Sequence, residues 1–229
     1  MSQQISLRIH RVMCIDETGG KYAEKFGNDE ISLGGFSISS NGDTQVIAPW
    51  DVYKSFDDSD KKDFNPPRVF HTFALAPAGF PQEVALGLVL AEKDIGGGMT
   101  VAIKDIAKLV SEQLKAHLAL HPVPAAAVGA VLVPVLIYAL KAIAAAIAAE
   151  VKRRIIKASK DDVFPPEYVT MSVSGPNMRF DGSTSSVLST LRFEGHEGIY
   201  DLTYDWQVAG GAEPGRVNPA GGGGVVLRG

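Results

Sequence analysis

Hydrophobic and polar positions alternate along much of this chain. In ISLRIHRV (5–12), Ile5, Leu7 and Ile9 alternate with Ser6, Arg8 and His10, the period of a strand with one buried face. EISLGGFSIS (30–39) predicts another strand. EVALGLVLAE (83–92) is nearly continuous in apolar residues, as a central strand covered on both faces would be. Beyond the middle, EYVTMSVSG (167–175), SSVLSTLRFEG (185–195) and GIYDLTYDWQV (198–208) resume the pattern. The last alternates most clearly: Tyr200, Leu202, Tyr204, Trp206 and Val208 share one face, and Asp201, Thr203, Asp205 and Gln207 the other. Residues 48–70 are polar, aromatic and broken by prolines, and read as a long loop with at most one short strand.

The period changes between residues 101 and 158. Ile103, Ile106, Val110, Leu114 and Leu118 recur at helical spacing, and the prolines at 122 and 124 end that run. A second run follows, with Leu136, Leu140, Ile143, Ile147, Val151 and Ile155 on one stripe, alanines between them, and Lys152, Arg153, Arg154 and Lys157 at its end, where cations suit a helix C-terminus. The expected architecture is α+β: an antiparallel β-sandwich with a long helical-hairpin insertion. Residues 1–100 form the first part of the sandwich, 101–158 the hairpin, 159–208 the second part, and 209–229 a Gly/Pro-rich tail.

The hairpin poses the main functional question. Residues 122–149 carry one charge, Lys141, and about 20 apolar residues suffice to cross a bilayer. Three prolines, the many alanines and the one-sided stripe argue against a constitutive span. The readings that remain are a hairpin packed on the core, a hairpin that meets or enters a membrane, and a homo-oligomer contact. In the latter two, the contact residues are Leu136, Leu140, Ile143, Ile147, Val151, Lys152, Arg153 and Arg154.

Charge sharpens the picture. The net charge is −4, but residues 95–160 hold 9 basic against 3 acidic side chains, whereas 1–94 hold 9 against 14 and 161–229 hold 4 against 9. A cationic, apolar middle is flanked by acidic sequence, which suits an anionic lipid surface as partner. MSQQISLRIHRV has no apolar leader core, so the expected location is cytoplasmic, or outside the cell by leaderless export. Cys14 is the only cysteine, which excludes an intrachain disulfide.

Carboxylates gather at the expected strand ends: Asp16 and Glu17, Asp29 and Glu30, Asp57, Asp58, Asp60 and Asp63, Glu92 and Asp94, Asp161 and Asp162. Calcium takes 6–8 oxygen ligands, and loops at one end of a sandwich can pool them. The candidate ligands are Asp16, Glu17, Asp29, Glu30, Glu92, Asp94, Asp161 and Asp162, the alternative being ordinary solvated loop acids. No EF-hand loop is present. The acidic pair after the first strand, NDE before the next, AEKD ending a central strand and DD opening the last block resemble calcium-binding C2-like or PLAT-like sandwiches over roughly residues 5–95 and 160–208. The resemblance implies calcium-dependent membrane binding, although the long hairpin departs from both families.

Catalytic signatures are missing. HEGIY (196–200) lacks the second histidine of a zinc-protease helix, and no nucleophile elbow, phosphate loop or dinucleotide fingerprint occurs. No strand is seen to interleave basic with aromatic residues, so nucleic acid is not expected as a partner. The sequence therefore predicts a non-enzymatic, membrane-interacting sandwich, pore-forming or membrane-perturbing through the hairpin and regulated by calcium. The alternative is an assembly protein that self-associates through the hairpin and tail.

Overall fold

The computed structural model describes residues 3–18, 29–38, 43–77, 80–93, 98–120, 147, 149–150, 153 and 162–209. These residues form an α+β arrangement of two antiparallel sheets and one long helix. In chain order the elements are β1 (Gln4–Asp16), β2 (Asp29–Ile38), β3 (Thr44–Phe56), β4 (Lys61–Ala74), β5 (Gln82–Glu92), α1 (Met99–Leu120), β6 (Asp162–Val163), β7 (Glu167–Val173), β8 (Ser189–Gly195) and β9 (Gly198–Ala209). One sheet has the order β4-β1-β9-β8. In the other, β3 pairs β2, β2 pairs β5, and β6 and β7 both pair β5.

Alternation places the core. In β1, Ile5, Leu7 and Ile9 are buried; the register then slips between Ile9 and Arg11, and Val12 and Cys14 take over the same face. A bulge adds one residue and so changes which parity points inward. On β5, Val84, Leu86, Leu88 and Leu90 join the apolar cluster shared with β1, β4 and β9, while Ala85, Val89 and Ala91 join a second cluster under α1. Burial on both faces explains why β5 reads as an unbroken apolar run.

Helix α1 lies on the outer face of the β3-β2-β5 sheet. Met99, Ala102, Ile103, Ile106, Ala107, Val110 and Leu114 are buried against Phe36, Ile38, Ala85, Val89 and Ala91. Close approach depends on Gly34: a Cβ there would lie 2.6 Å from Ile103 Cδ1 and 2.9 Å from Pro49 Cα. Ile103, Ile106, Val110 and Leu114 are fully buried. At about 1.5–3 kcal/mol for each such side chain, lifting α1 into water costs on the order of 6–12 kcal/mol, comparable with the whole stability of a typical domain.

The first arm of the expected hairpin is thus a packed layer. Ile147 is buried in the same cluster as α1, and Ile147, Ala149, Glu150 and Arg153 are helical. Arg153 forms an ion pair with Glu150. Leu136, Leu140, Ile143, Val151, Lys152 and Arg154 lie outside the described residues, as does the tail from residue 210. Among the described residues no helix is long and apolar enough to cross a membrane.

The reading of residues 48–70 as a loop is corrected: β3 and β4 are strands of 13 and 14 residues. Both stand at sheet edges, where one side of the ladder is unpaired, so polar residues and prolines are tolerated. Pro66 and Pro67 fall where the β1–β4 register jumps from the Ile9–Arg68 pair to the Arg11–Asp63 pair, so they need no ladder bond. β4 also interleaves Lys61, Lys62, Arg68 and His71 with Phe64, Phe70 and Phe73, against the expectation that no strand does so. These groups close the gap between the two edges. Phe70 is buried, Phe64 packs edge-on against Trp50 at 5.6 Å between ring centroids, and the Arg68 guanidinium sits 3.6 Å from the centre of the Trp50 ring.

Candidate functional site

Antiparallel pairing brings several chain segments to one end of both sheets. β1 ends there at Asp16, β2 begins there at Asp29, the β3–β4 turn spans 57–60, and β5 ends at Glu92. Asp16 is opposite Ile199, Asp29 is opposite Phe56, and Glu92 is opposite both Ile31 and Asp162. Acids scattered over nearly 150 positions therefore share one end of the fold.

At its centre is the carboxylate of Asp29, 3% exposed. Its Oδ2 accepts from the Thr18 amide at 2.8 Å, from the Thr18 hydroxyl at 3.0 Å, and from the Tyr200 hydroxyl. The Thr18 hydroxyl also reaches Glu92 Oε2. One hydroxyl proton serves one acceptor at a time, so Thr18 stands between two carboxylates that compete for it. Glu17, itself buried, donates its backbone amide to Asp58 Oδ1 at 3.0 Å. Within the β3–β4 turn, Asp57 Oδ1 accepts the Asp58 amide and Asp60 Oδ2 the Asp57 amide, and the Asp60 carbonyl takes the amide of Cys14.

Burial sets the protonation of the neutral groups here. It pushes the Tyr200 hydroxyl far up, and the bond to Asp29 and that carboxylate's charge push the same way. Tyr200 is therefore a permanent donor. Burial also pushes the Cys14 thiol up to about 12; a contact with Tyr200 offsets part of this, while the charges of Asp29, Asp58 and Glu17 add to it. A thiol held protonated in this way is a poor nucleophile.

The β8–β9 turn completes this end. His196 places Nδ1 3.0 Å from Asp162 Oδ1 and Nε2 3.1 Å from the Val163 carbonyl, with its ring edge-on to Phe164. Gly198 permits the turn to close on Thr18, whose Cγ2 would lie 2.7 Å from a Cβ at that position.

Of the eight expected ligands, Asp29 and Glu92 meet at the Thr18 hydroxyl, and Glu17 is the buried residue that precedes Thr18 in the chain. Asp162 is opposite Glu92 in register but pairs with His196. Asp16 and Glu30 are exposed at their strand ends, and Asp94 and Asp161 lie outside the described residues. The donor set is chemically suited to a hard cation, all carboxylate and hydroxyl oxygen. The spacing is less suited: among the described residues no group of three or more His, Cys, Asp or Glu side chains is drawn close enough to hold a metal ion. Protein donors reach Asp29 Oδ2, Glu92 Oε2 and Asp58 Oδ1 instead. Sequence reasoning missed Thr18, Tyr200 and His196 as members of this end, and it left Asp58 among the strand-end acids without making it a candidate ligand. Tyr200 carried a signal, since it is the first inward residue of the most regular strand.

No protein-family model matches the chain, and no curated protein sequence matches it significantly.

Proposed function

We propose that the protein is a non-enzymatic, C2-like β-sandwich with a helical insertion, which binds anionic membrane surfaces through its acidic end with calcium as the bridging ion. The observation that carries this reading is the convergence of the Asp29 and Glu92 carboxylates on the Thr18 hydroxyl, with the neighbouring Glu17 amide held by Asp58. Calcium entering there would compete with Thr18 and Tyr200 for the Asp29 carboxylate and relieve the repulsion between Asp29 and Glu92. Lys61 and Lys62 begin β4 beside this end, with the Lys62 ammonium 5.7 Å from the Tyr53 ring centre. Basic and aromatic residues in that position favour an anionic interface, each basic residue adding about 1 kcal/mol. Pore formation by the helical insertion is the less favoured route, because releasing α1 sacrifices most of a core.

The test is co-sedimentation with vesicles containing phosphatidylserine, with calcium and with chelator, and dye leakage followed in parallel. Calcium-dependent sedimentation without leakage is expected. Leakage would return the membrane role to the helical insertion. Sedimentation in neither condition would overturn the membrane reading and leave self-assembly, read by particle size on a sizing column.

A further inference from the structure

We propose that a cavity beneath the first turn of α1 is a binding site for a small neutral alcohol with an apolar ring, a phenol in chemical class. The cavity has a volume of about 150 Å³. It lies on the face of the β3-β2-β5 sheet that α1 covers, away from the core face that holds the buried acids.

The strands account for the space. Asp51, Ser32 and Ala91 are register partners across β3, β2 and β5. Two residues further along β2, Gly34 brings the helix down onto the sheet at Ile103. Ser32 and Ala91 are short side chains, and the gap between them and the start of the helix at Met99 and Thr100 is left open, with Pro49 along one side.

Size and lining narrow the ligand. A cavity of about 150 Å³ holds a benzene-sized molecule. Ala91 and Met99 are buried and, with the Pro49 ring, present carbon to it, so water finds few partners against these walls. The charged groups stand at the mouth: the Asp51 and Lys93 side chains are 49% and 43% exposed. Ser32 donates its hydroxyl to Asp51 Oδ1 at 3.0 Å, and Lys93 Nζ stands 3.8 Å from the same oxygen. That separation is an ion pair but too long for a hydrogen bond, and an oxygen about 2.8 Å from each partner fits between them. A hydroxyl suits that place, because it accepts from the ammonium and donates to the carboxylate. A charged head suits it less: Asp51 repels a carboxylate and Lys93 repels an amine. A plain hydrocarbon fills the cavity but leaves the gap between the two charges unbridged.

The experiment titrates phenol into the full chain, with methyl and amide NMR spectra as readout and toluene and benzoate as comparison ligands. Phenol is expected to bind saturably, with a Kd on the order of 1 mM, and to shift the signals of Ala91, Met99 and Thr100. It should bind about tenfold more tightly than toluene or benzoate, the worth of a hydrogen bond to a charged group. Lys93→Met keeps the walls and should weaken phenol about tenfold while leaving toluene unchanged. Ala91→Val fills part of the cavity and should weaken phenol and toluene alike; if that variant does not fold, Lys93→Met decides. The proposal is overturned if phenol does not saturate, if the shifts fall away from Ala91 and Met99, if toluene or benzoate binds as tightly as phenol, or if K93M binds phenol like the parent protein.

Discussion

Replacing Asp29 with alanine removes the acceptor on which the acidic end converges. Three donors use one of its oxygens: the Thr18 amide, the Thr18 hydroxyl and the Tyr200 hydroxyl. The Thr18 hydroxyl can turn to Glu92, so it is not orphaned. The Thr18 amide and the Tyr200 hydroxyl are left without that acceptor in a place water does not reach: Thr18 is 4% exposed and Tyr200 is fully buried. An orphaned buried donor costs about 1–3 kcal/mol, so the two left by Asp29→Ala should destabilise the protein by about 2–6 kcal/mol, a sizeable share of the roughly 5–15 kcal/mol of a typical domain. Tyr200→Phe removes a donor rather than an acceptor and should cost only about 1 kcal/mol. In the double variant much of the Asp29→Ala penalty should disappear, because one of the two orphans is gone. Urea unfolding of the four proteins measures this cycle, with an unchanged m-value confirming that the transition is the same. A loss below about 1 kcal/mol for D29A, or strict additivity with Y200F, would show that the Asp29–Tyr200 bond does not hold the two sheets together at this end.

Two further perturbations test other parts of the fold. Asp205 is buried, which by itself would raise its carboxyl, but bonds from Arg8 and His10 outweigh burial and hold it below the ordinary carboxylate range. A depressed carboxylate stabilises the fold above its unfolded value of about 3.9, and this contribution is lost as pH falls further; urea midpoints should therefore drop below about pH 4 in the parent protein and vary less there in Asp205→Asn. Gly34→Ala places a methyl 2.6 Å from Ile103 Cδ1 and 2.9 Å from the Pro49 backbone; the helix or β3 must yield, at a cost of about 1–3 kcal/mol, and thermal unfolding that matches the parent would show that α1 does not rest on Gly34.

The alternation of apolar residues was enough to place β1, β2, β5, β7, β8 and β9, and the 3–4 spacing of Ile103, Ile106, Val110 and Leu114 was enough for α1. These patterns are legible because each element buries one face or stripe, and β2 and β5 bury two, so side-chain identity follows local geometry. β3 and β4 were not legible. They are edge strands, half solvated and bulged around Pro66 and Pro67, and the packing of Trp50 on Phe64 that fixes them joins positions in different sheets. The same division holds at the acidic end. The sequence marked Glu17, Asp29 and Glu92 as acids at strand ends, but their shared location depends on strand order, β1 beside β9 and β2 beside β5. Only that order delivers Thr18 and Tyr200 to the Asp29 carboxylate and His196 to Asp162, because hydrogen bonds between residues up to 171 positions apart have no local signature. What the apolar helix rests on was decided in the same way: the stripe specified an amphipathic helix, and the small residues Gly34, Ala85 and Ala91 on the sheet decided that its partner is protein.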